Sequence, residues 1–310
     1  MSGERALIRR VIAPAVRSTS STLASKGWKL LVGIGDDAAV LQPPAGSRPL
    51  VFASDMLVEN VHFRRRRLTP ERIGWKALAR NLSDLAAMGA APVAAVVSLG
   101  LPRATPDMFV RGLYRGLARC ARKFDIALVG GDTTRASQVV VDVAVLGEVR
   151  KGRAISRRGV LAGDRLFVTG RLGNSYASGK HARFTPRLRE AEKLRACADI
   201  RAMIDLSDGL AAGLWELAKQ GRVRLHVRAD AIPRSPGVRL LDQALNEGED
   251  FELLFAVSAK DAAAVPRRIG ACPVTAIGEA VQGRAAVVLV DPDGRRAPLT
   301  SRGFEHFSDR

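Results

Sequence analysis

The stretch PERIGWKALARNLSDLAAM, residues 70–88, predicts a long helix in the first half of the chain. Its leucines Leu78, Leu82 and Leu85 recur at the spacing that lines one face of a helix. The segments around it predict strands at 49–54, 93–99, 126–129 and 139–149 and a second helix at 106–123. This mixture of strands and helices indicates an α/β or α+β fold.

The second half begins after a basic, glycine-punctuated stretch, KGRAISRRGVLAGD, residues 151–164. Such a composition is typical of a junction, so we place a boundary near Arg150 and predict domains at 1–150 and 151–310. A length of 310 residues also fits two domains of ordinary size better than one. Beyond the junction we predict strands at 165–169, 223–227, 251–257, 274–277 and 286–291 and helices at 208–219 and 261–269.

The composition argues against several classes of protein. The three cysteines, Cys120, Cys197 and Cys272, are far apart and outside any CxxC spacing, which favours buried thiols over a disulfide framework or a zinc site. No apolar run approaches the roughly 20 residues that span a bilayer, and the first residues lack the apolar core of a secretory signal. We therefore expect a cytoplasmic protein that does not enter a membrane.

The formal net charge of +18 would attract polyanions such as nucleotides, nucleic acid or anionic membranes, but it does not choose among them. The densest basic run, Arg64 to Arg67, is either a phosphate-binding patch or a solvated surface. Aromatic residues make up only 5% of the chain and do not alternate with a basic segment, so the stacking platform of a single-strand nucleic-acid binder is missing. We expect no nucleic-acid partner.

Several aspartates lie in apolar or glycine-rich surroundings, although the chain is basic. Removing a carboxylate from water is costly unless a cation or hydrogen-bond donors compensate. Five separate segments supply such carboxylates, and hard oxygen ligands of this kind suit magnesium rather than zinc. These residues are Asp36 and Asp37 in GIGDDAAVL, Asp55 in FASDML, Asp84 in NLSDLAAMG, Asp132 in VGGDTT, and Asp205 and Asp208 in MIDLSDGL.

Each of these motifs also has a structural alternative. Asp84 is the hardest to explain in this way, because it lies inside the predicted helix beside Asn81, where only a local salt bridge could account for it. Turns would explain Asp36, Asp37 and Asp132, and a helix cap would explain Ser207 or Asp208.

The sequence contains no GxxxxGK[ST] loop and no HRD or DFG signature. A nucleotide would therefore have to be held by magnesium ions, glycine backbone amides and a few arginines. Nucleophilic catalysis has little support, since no histidine has a serine or cysteine partner in a recognisable elbow. His226 alternates with Leu225 and Val227 and is expected to face outward on a strand.

Together these segments resemble the thiamine-monophosphate kinase family, which shares a superfamily with aminoimidazole ribonucleotide synthetase. The resemblance implies a two-domain fold: an N-terminal α/β domain whose sheet pairs with its counterpart in a homodimer, and a C-terminal α+β domain. It further implies that ATP and several magnesium ions bind between the acidic segments, and that thiamine monophosphate is phosphorylated to thiamine diphosphate. The matching segments are GIGDDAAVL, SDMLVENVHF, ALARNLSDLAAMGA, LVGGDTTR, AMIDLSDGL, NEGEDFELLF and RGFEHF.

The resemblance also assigns roles to individual residues. Phe304 could stack on a thiamine ring, with ordinary packing as the alternative, and Glu249 could face the aminopyrimidine or the thiazolium charge. Magnesium-ligand positions are matched by Asp37, Ser54, Asp55, Asp84, Asp132, Asp205 and Asp208, of which Asp84 and Asp208 are expected to be catalytic. Nucleotide-contacting positions are matched by Tyr114, Gly131, Arg157 and Ser207, and substrate positions by His62, Glu249 and Phe304.

The chain departs from the family pattern in two places. Ala53 stands where the family usually has another hydroxyl ligand, so one magnesium ion is expected to bind more weakly or through backbone atoms. The segment between GRLGNS and TPRL is short, which removes most of a helix after Ser175 and leaves HARFTPR in place of a proline-rich signature.

The expected reaction is a direct in-line attack of the substrate phosphate on the γ-phosphorus of ATP. Because the attacking oxygen is already ionised near neutral pH, the main barrier is repulsion between two anions, which clustered magnesium ions would reduce. Two alternatives stay open. One is another ATP-using enzyme of the superfamily, such as a synthetase-like ligase or a selenophosphate synthetase-like enzyme; the other is a non-catalytic nucleic-acid-binding relative.

Overall fold

The computed structural model describes residues 8–16, 23, 25–44, 47–149 and 154–300. These residues form two β-sheets, one in each half of the chain. None of the helices in these ranges is long and apolar enough to cross a membrane.

The first half contains a six-stranded sheet with two long helices. Its strand order is β1-β2-β3-β6-β4-β5, and all neighbours are antiparallel except β4 and β5. The elements are α1 (Ala13–Val16), β1 (Lys29–Val32), β2 (Ala39–Gln42), β3 (Leu50–Val58), α2 (Pro70–Ala87), β4 (Ala91–Leu101), α3 (Asp107–Lys123), β5 (Ala127–Arg135) and β6 (Val140–Glu148).

The second half contains a mixed sheet of eight strands. Its order is β14-β13-β9-β12-β7-β10-β8, and β11 pairs with β12 beside this path. The elements are β7 (Arg165–Thr169), α4 (Leu188–Cys197), β8 (Ile200–Asp205), α5 (Leu210–Gly221), β9 (Arg224–Arg228), α6 (Leu241–Asn246), β10 (Leu253–Val257), β11 (Arg268–Ile269), β12 (Cys272–Val281), β13 (Ala286–Val290) and β14 (Arg296–Pro298).

Helix α2 begins and packs as its sequence predicts. The Thr69 hydroxyl accepts the Arg72 N–H at 3.4 Å, and Pro70 occupies the first helical position, where no intrahelical donor is needed. At Gly74 an added Cβ would lie 2.0 Å from the Leu113 carbonyl oxygen, so only glycine permits this approach of α2 to α3.

The C-terminal end of α2 reaches the second domain. Ala86 and Ala87 belong to a buried apolar cluster that includes Phe167 of β7 and Phe255 of β10, whose rings stack at 5.4 Å. Burial of these side chains fixes the last turns of α2 against the second sheet. Asp84 therefore lies where the two domains meet.

Most of the predicted elements are confirmed, including both long helices and the strand at Arg165–Thr169. The helix predicted at 261–269 is wrong, because Pro266 interrupts it and leaves a single turn at Ala262–Ala264 and the strand β11. The strand predicted at 126–129 continues to Arg135, so Asp132 lies in a strand and not in a turn. The elements that were not predicted are α1, β1, β2, α4, β8, α6, β11 and β14.

Two further expectations concern the cysteines and the boundary. Cys120 and Cys272 are buried, but Cys197 is exposed, because it ends α4 at the surface; the expectation of a buried thiol is wrong there. The boundary predicted near Arg150 lies outside the described residues.

Candidate active site

Three carboxylates from distant parts of the sequence meet at the contact between the domains. Oxygen atoms of Asp37, Asp84 and Asp205 lie within 4.8 Å of one another. Asp37 follows β1 in a turn, Asp84 lies in the last full turn of α2, and Asp205 ends β8. Of the described residues, these form the one group of three or more His, Cys, Asp or Glu side chains with metal-binding proximity.

Burial and mutual repulsion disfavour the charged form of this cluster. The pKa of Asp84 is raised well above its ordinary value, first by burial and then by the charge of Asp55. Burial and the charge of Asp37 raise the pKa of Asp205 to about 7, although the Ser83 hydroxyl donates to it at 2.7 Å. Ionisation of all these close carboxylates is unfavourable by itself. A hard divalent cation bound between them would remove the repulsion, so they suit such a cation as ligands.

Arg157 is the cation that the chain itself provides at this cluster. Its Nε donates to Asp37 Oδ2 at 3.0 Å, its Nη2 donates to Asp37 Oδ1, and its backbone N–H donates to Asp36 at 3.3 Å. Burial alone would lower the pKa of Arg157, but the Asp37 carboxylate raises it. The predicted nucleotide contact and the predicted metal ligand are therefore bound to each other.

The alternation of β3 separates two neighbouring predicted ligands. Asp55 faces α2, where Arg80 Nε donates to its carboxylate at 3.2 Å and its own N–H donates to Asn81 at 2.9 Å. Ser54 faces the other side of the sheet and donates to Asp142 at 3.0 Å. Ala53 lies on the same face as Asp55 and is buried, so the hydroxyl that it lacks would have pointed toward α2.

A second group of predicted residues lines one cavity beside the cluster. The cavity brings together His62, Ser207, Asp208 and Glu249, which sequence analysis assigned to the substrate, the nucleotide and the metal. Its wall is completed by Val61, Arg80, Tyr176 and Glu247. Ser207 and Asp208 come two and three residues after Asp205, which ends β8, so the chain leads from the carboxylate cluster into the wall of this cavity.

Glu249 reaches this cavity through an unusual turn. Its φ of 54° is left-handed, and its backbone N–H donates to the Ser207 carbonyl at 2.6 Å. Burial would raise the pKa of Glu249, but a hydrogen bond with His181 and the charges of Lys76 and Arg80 hold it down at about 2. The carboxylate is therefore ionised and paired.

The neighbouring acidic residues of the NEGEDFEL motif have a different task. Asp250 accepts from the Ser175 hydroxyl at 2.7 Å and from the Gly173 N–H at 3.0 Å. Glu252, also buried, accepts two hydrogen bonds from Arg187 and one from Lys180. These contacts hold the short segment between β7 and α4 against the cavity wall.

The structure does not bring every predicted residue to the carboxylates. Tyr114 lines a separate surface cavity on α3 with Arg111 and Arg115, and Asp132 is exposed on β5. Gly131, next to it, has a φ of 149°, and an added Cβ would lie 1.8 Å from the Val97 carbonyl oxygen. Phe304 lies outside the described residues. These roles stay predictions.

Sequence analysis missed Lys76, His181 and Tyr176, which surround Glu249. One signal could have found the lysine. Lys76, Arg80 and Asp84 recur every four residues along α2, so they form a polar stripe beside the leucine face. A polar stripe that is buried indicates a functional site more often than a polar stripe that faces solvent.

Comparisons with known proteins agree with this geometry. The AIR synthase related protein, N-terminal domain family matches residues 35–149, and the AIR synthase related protein, C-terminal domain family matches residues 161–291. A curated thiamine-monophosphate kinase of Rhodopirellula baltica is 35% identical over 294 residues, which covers 90% of this chain and 92% of that protein. The Bacillus subtilis thiamine-monophosphate kinase is 34% identical, and the match covers 89% of this chain and 93% of that protein.

A solved structure is similar over nearly the whole chain. It is described as AaThiL complexed with AMPPCP and TMP, and it matches with a TM-score of 0.81 at 28% identity. The match covers 98% of this chain and 97% of that one. Both domains and their relative placement are therefore shared with it.

Proposed function

The chain belongs to the thiamine-monophosphate kinase family, and we propose that it transfers the γ-phosphate of ATP to thiamine monophosphate. The products are thiamine diphosphate and ADP. One observation carries the proposal: the chain runs from the cluster of Asp37, Asp84 and Asp205 at Asp205 into Ser207 and Asp208, which line the same cavity as His62 and Glu249. The similar solved structure holds AMPPCP, an ATP analogue, together with TMP, the acceptor that such a kinase uses.

Magnesium is the metal that we propose for this cluster. Its supports are the all-oxygen donor set and the buried like charges, which a divalent cation would neutralise. Bound magnesium would supply charge neutralisation along the phosphates of ATP. Asp37, Asp84 and Asp205 would hold it. We propose Asp55, whose charge raises the pKa of Asp84, and Asp208, three residues after Asp205, as further ligands.

The side chains then have distinct tasks in the transfer. The acceptor phosphate oxygen forms a bond to the γ-phosphorus while the bond from that phosphorus to the β,γ-bridging oxygen breaks. No general base is required, because the attacking phosphate is ionised near neutral pH. We assign the acceptor phosphate to His62, the cationic ring system to the ionised Glu249, and the ATP phosphates to Arg157, which would leave Asp37 as the nucleotide binds.

We further propose that two chains pair through the open face of the first sheet. Phe52 and Met56 of β3 are 49% and 50% exposed there, and Val96 of β4 is 39% exposed. An open sheet face that exposes apolar side chains in this way suits a second copy of the chain. Met56→Glu should convert a dimer to a monomer in light scattering, whereas Leu161→Glu, an exposed site in the second domain, should not.

Two broader assignments belong to the same proposal. Residues 1–150 form the unit that binds ATP and magnesium and pairs with a second chain, and residues 151–310 form the α+β unit that completes the site. We place the reaction in the cytoplasm, where ATP is available to it.

The test is product formation from thiamine monophosphate, ATP and magnesium, with unphosphorylated thiamine as the control acceptor. Thiamine diphosphate from the monophosphate alone is the expected result. Protein that binds ATP but makes no product would indicate a superfamily member with another acceptor. Folded protein that binds neither ATP nor magnesium would reject a catalytic role, and salt-sensitive binding of nucleic acid would then favour the non-catalytic alternative.

A further inference from the structure

Lys76 of α2 is a fully buried lysine, with 0% of its surface exposed, and it contacts His62 and Glu249, which line the proposed substrate cavity. Its ammonium group has three hydrogen-bond donors and three polar neighbours. It lies 2.9 Å from the His62 carbonyl oxygen and 3.1 Å from His181 Nδ1, and it contacts Glu249 Oε2 directly. The lysine thus contacts three separate segments of the chain.

Burying this lysine opposes its charge. Burial lowers the pKa of Lys76, while the charge and hydrogen bond of Glu249 raise it. A well-packed apolar side chain at such a position is often at least as stabilising as a buried ion pair. Stability alone therefore gives little reason for a lysine here, whereas the identity of its partners gives a functional one.

Two of the three groups that contact the Lys76 ammonium belong to residues that we assign to opposite ends of the substrate. Glu249 faces the cationic ring system, and His62 faces the acceptor phosphate. Because one ammonium group binds both, it fixes the separation of these two contacts. It also crosses the contact between the domains, since α2 is in the first domain and Glu249 in the second.

We propose that Lys76 is a positioning residue for thiamine monophosphate, acting through Glu249 and the loop that carries His62. This inference rests on the proposed function. Lys76 does not touch the substrate; it holds the left-handed turn at Glu249 so that the carboxylate points into the cavity.

The short segment after Ser175 is part of the same arrangement. The Tyr176 ring stacks on the His181 ring with centroids 4.4 Å apart, and the Lys76 ammonium lies 5.6 Å from the tyrosine centroid. Tyr176 and His62 line the same cavity. Lys76 therefore helps to position Tyr176 and His181 as well as Glu249.

Loss of Lys76 should disturb the position of Glu249 more than its charge. Arg80 Nη1 lies 3.9 Å from Glu249 Oε1 and would continue to stabilise the carboxylate. Arg80 is also bonded to Asp55, so it cannot follow the Glu249 carboxylate without breaking that hydrogen bond. The expected consequence is weaker binding of one substrate and not a general loss of turnover.

The experiment compares Lys76→Met, Glu249→Gln and the double variant by steady-state kinetics with both substrates. Lys76→Met should raise the KM for thiamine monophosphate by about 10-fold or more, with the KM for ATP within about 2-fold. In the Glu249→Gln background, the same lysine substitution should add less than about 3-fold, because its partner is already removed. Calorimetric binding of thiamine monophosphate should show the same pattern without turnover.

Arg201→Met is the matched control. Arg201 also pairs with a buried carboxylate, that of Asp164, and neither of these two residues lines the cavity. The substitution should lower the melting temperature and leave both KM values within about 2-fold.

Several outcomes would contradict the inference. Lys76→Met with unchanged KM values and a lower melting temperature would make the lysine purely structural, as would additive effects in the double variant. If Lys76→Met does not fold, the double variant, which leaves no unpaired carboxylate, is compared with Glu249→Gln alone, and a much higher KM would reject the pathway through Glu249. A wild-type chain without turnover would instead reject the proposed function, and this inference with it.

Discussion

Two groups of buried carboxylates adjoin each other in this protein, and they are stabilised in opposite ways. Glu249 is surrounded by Lys76, Arg80 and His181, and its pKa is held at about 2. In the aspartate cluster, burial and like charges raise the pKa of Asp84 and take that of Asp205 to about 7. The first group is paired with cations of the chain. In the second, Arg157 pairs with Asp37, but the pKa values of Asp84 and Asp205 stay raised, so a further cation from outside would stabilise it.

This difference separates two kinds of subsite. A carboxylate that is already paired with cations of the chain is fixed before any ligand arrives, which suits recognition of an organic substrate. Carboxylates that repel one another become a stable arrangement only with a bound cation, which suits a metal that enters with the nucleotide. The predictions below test whether the two groups respond independently.

The largest effect is expected for Asp84→Asn. Removing one buried ligand of the cluster should lower kcat by at least about 100-fold, the scale seen when a preorganised electrostatic group is lost. The KM for thiamine monophosphate should change much less, in contrast to Glu249→Gln, which should mainly raise that KM. Steady-state kinetics at saturating magnesium distinguishes the two patterns.

The matched control for Asp84→Asn is Asp230→Asn, which removes an exposed aspartate that pairs only locally with Arg228. Its kinetics should equal those of the wild type. The melting temperature of Asp84→Asn without metal should be equal or higher, because one repulsive buried charge is gone. Near-normal kcat in a folded Asp84→Asn variant would remove this residue from the proposed metal site.

The second prediction concerns Arg157, the cation that the chain supplies to the cluster. Because its guanidinium is bonded to Asp37, it competes with a metal ion for that carboxylate. Arg157→Gln should therefore strengthen magnesium binding by the nucleotide-free protein by a few fold, and it should raise the KM for ATP by about 10-fold through loss of a phosphate contact.

Magnesium titration followed by thermal shift, together with ATP kinetics, measures both effects. Arg158→Gln serves as the control, since its side chain has no hydrogen bond to the cluster among the described residues. Weaker magnesium binding in Arg157→Gln would mean that the arginine supports the metal site and does not compete with it.

The third prediction is a pH dependence of the metal-free protein that has opposite signs for the two groups. A carboxyl whose folded pKa is raised makes the protein less stable as pH rises from its unfolded pKa through its folded value. The cluster and the neighbouring Asp36 should thus lower the melting temperature as pH rises from about 4 to about 8, because the pKa of Asp36 is raised to about 6 and that of Asp205 to about 7. Glu249, whose pKa is about 2, contributes stability that is present above its unfolded pKa and is lost as pH falls toward 2.

Thermal unfolding in a chelator across this pH range tests the signs. Asp205→Asn should reduce the fall in melting temperature near neutral pH and leave the loss of stability at low pH unchanged. Glu249→Gln should reduce the loss at low pH and leave the fall near neutral pH unchanged. Added magnesium should restore stability most strongly at about pH 8, where the cluster is most charged. A wild-type profile without the neutral decline would contradict the raised pKa values.

These contrasts also show why sequence analysis succeeded at some positions. The helix at 70–88 was predictable because its leucines recur at helical spacing, and they are buried on one face in the structure. The acidic motifs stood out because carboxylates are rare in apolar segments. The structure brings Asp37, Asp84 and Asp205 together, and their role as one metal site stays a prediction.

The remainder depended on information that no local pattern carries. The alternation of β3 places Ser54 and Asp55 on opposite faces, and that register is set by pairing with β6. Lys76 was hidden because one lysine in a helix usually faces solvent. Its role follows only from the segments carrying His62, His181 and Glu249, which long-range packing brings to it.

The smallest expected effect tests the departure at Ala53. This residue is buried on the face of β3 that also carries Asp55, so a hydroxyl there would point toward the metal side of the sheet. One additional neutral oxygen ligand contributes on the order of 0.5–1 kcal/mol, so Ala53→Ser should lower the magnesium concentration at half-maximal rate by about 2- to 5-fold. The value of kcat at saturating magnesium should stay within about 2-fold.

Ala53→Val is the control that fills the same space without an oxygen. It should leave the magnesium requirement unchanged or higher, and neither variant should alter the KM for thiamine monophosphate, because Glu249 and Lys76 lie in the other subsite. A shift in that KM with Ala53→Ser would mean that the two carboxylate groups are coupled through α2. An unchanged magnesium requirement would mean that position 53 contributes nothing to metal binding, so the metal would depend on the aspartates and backbone atoms alone.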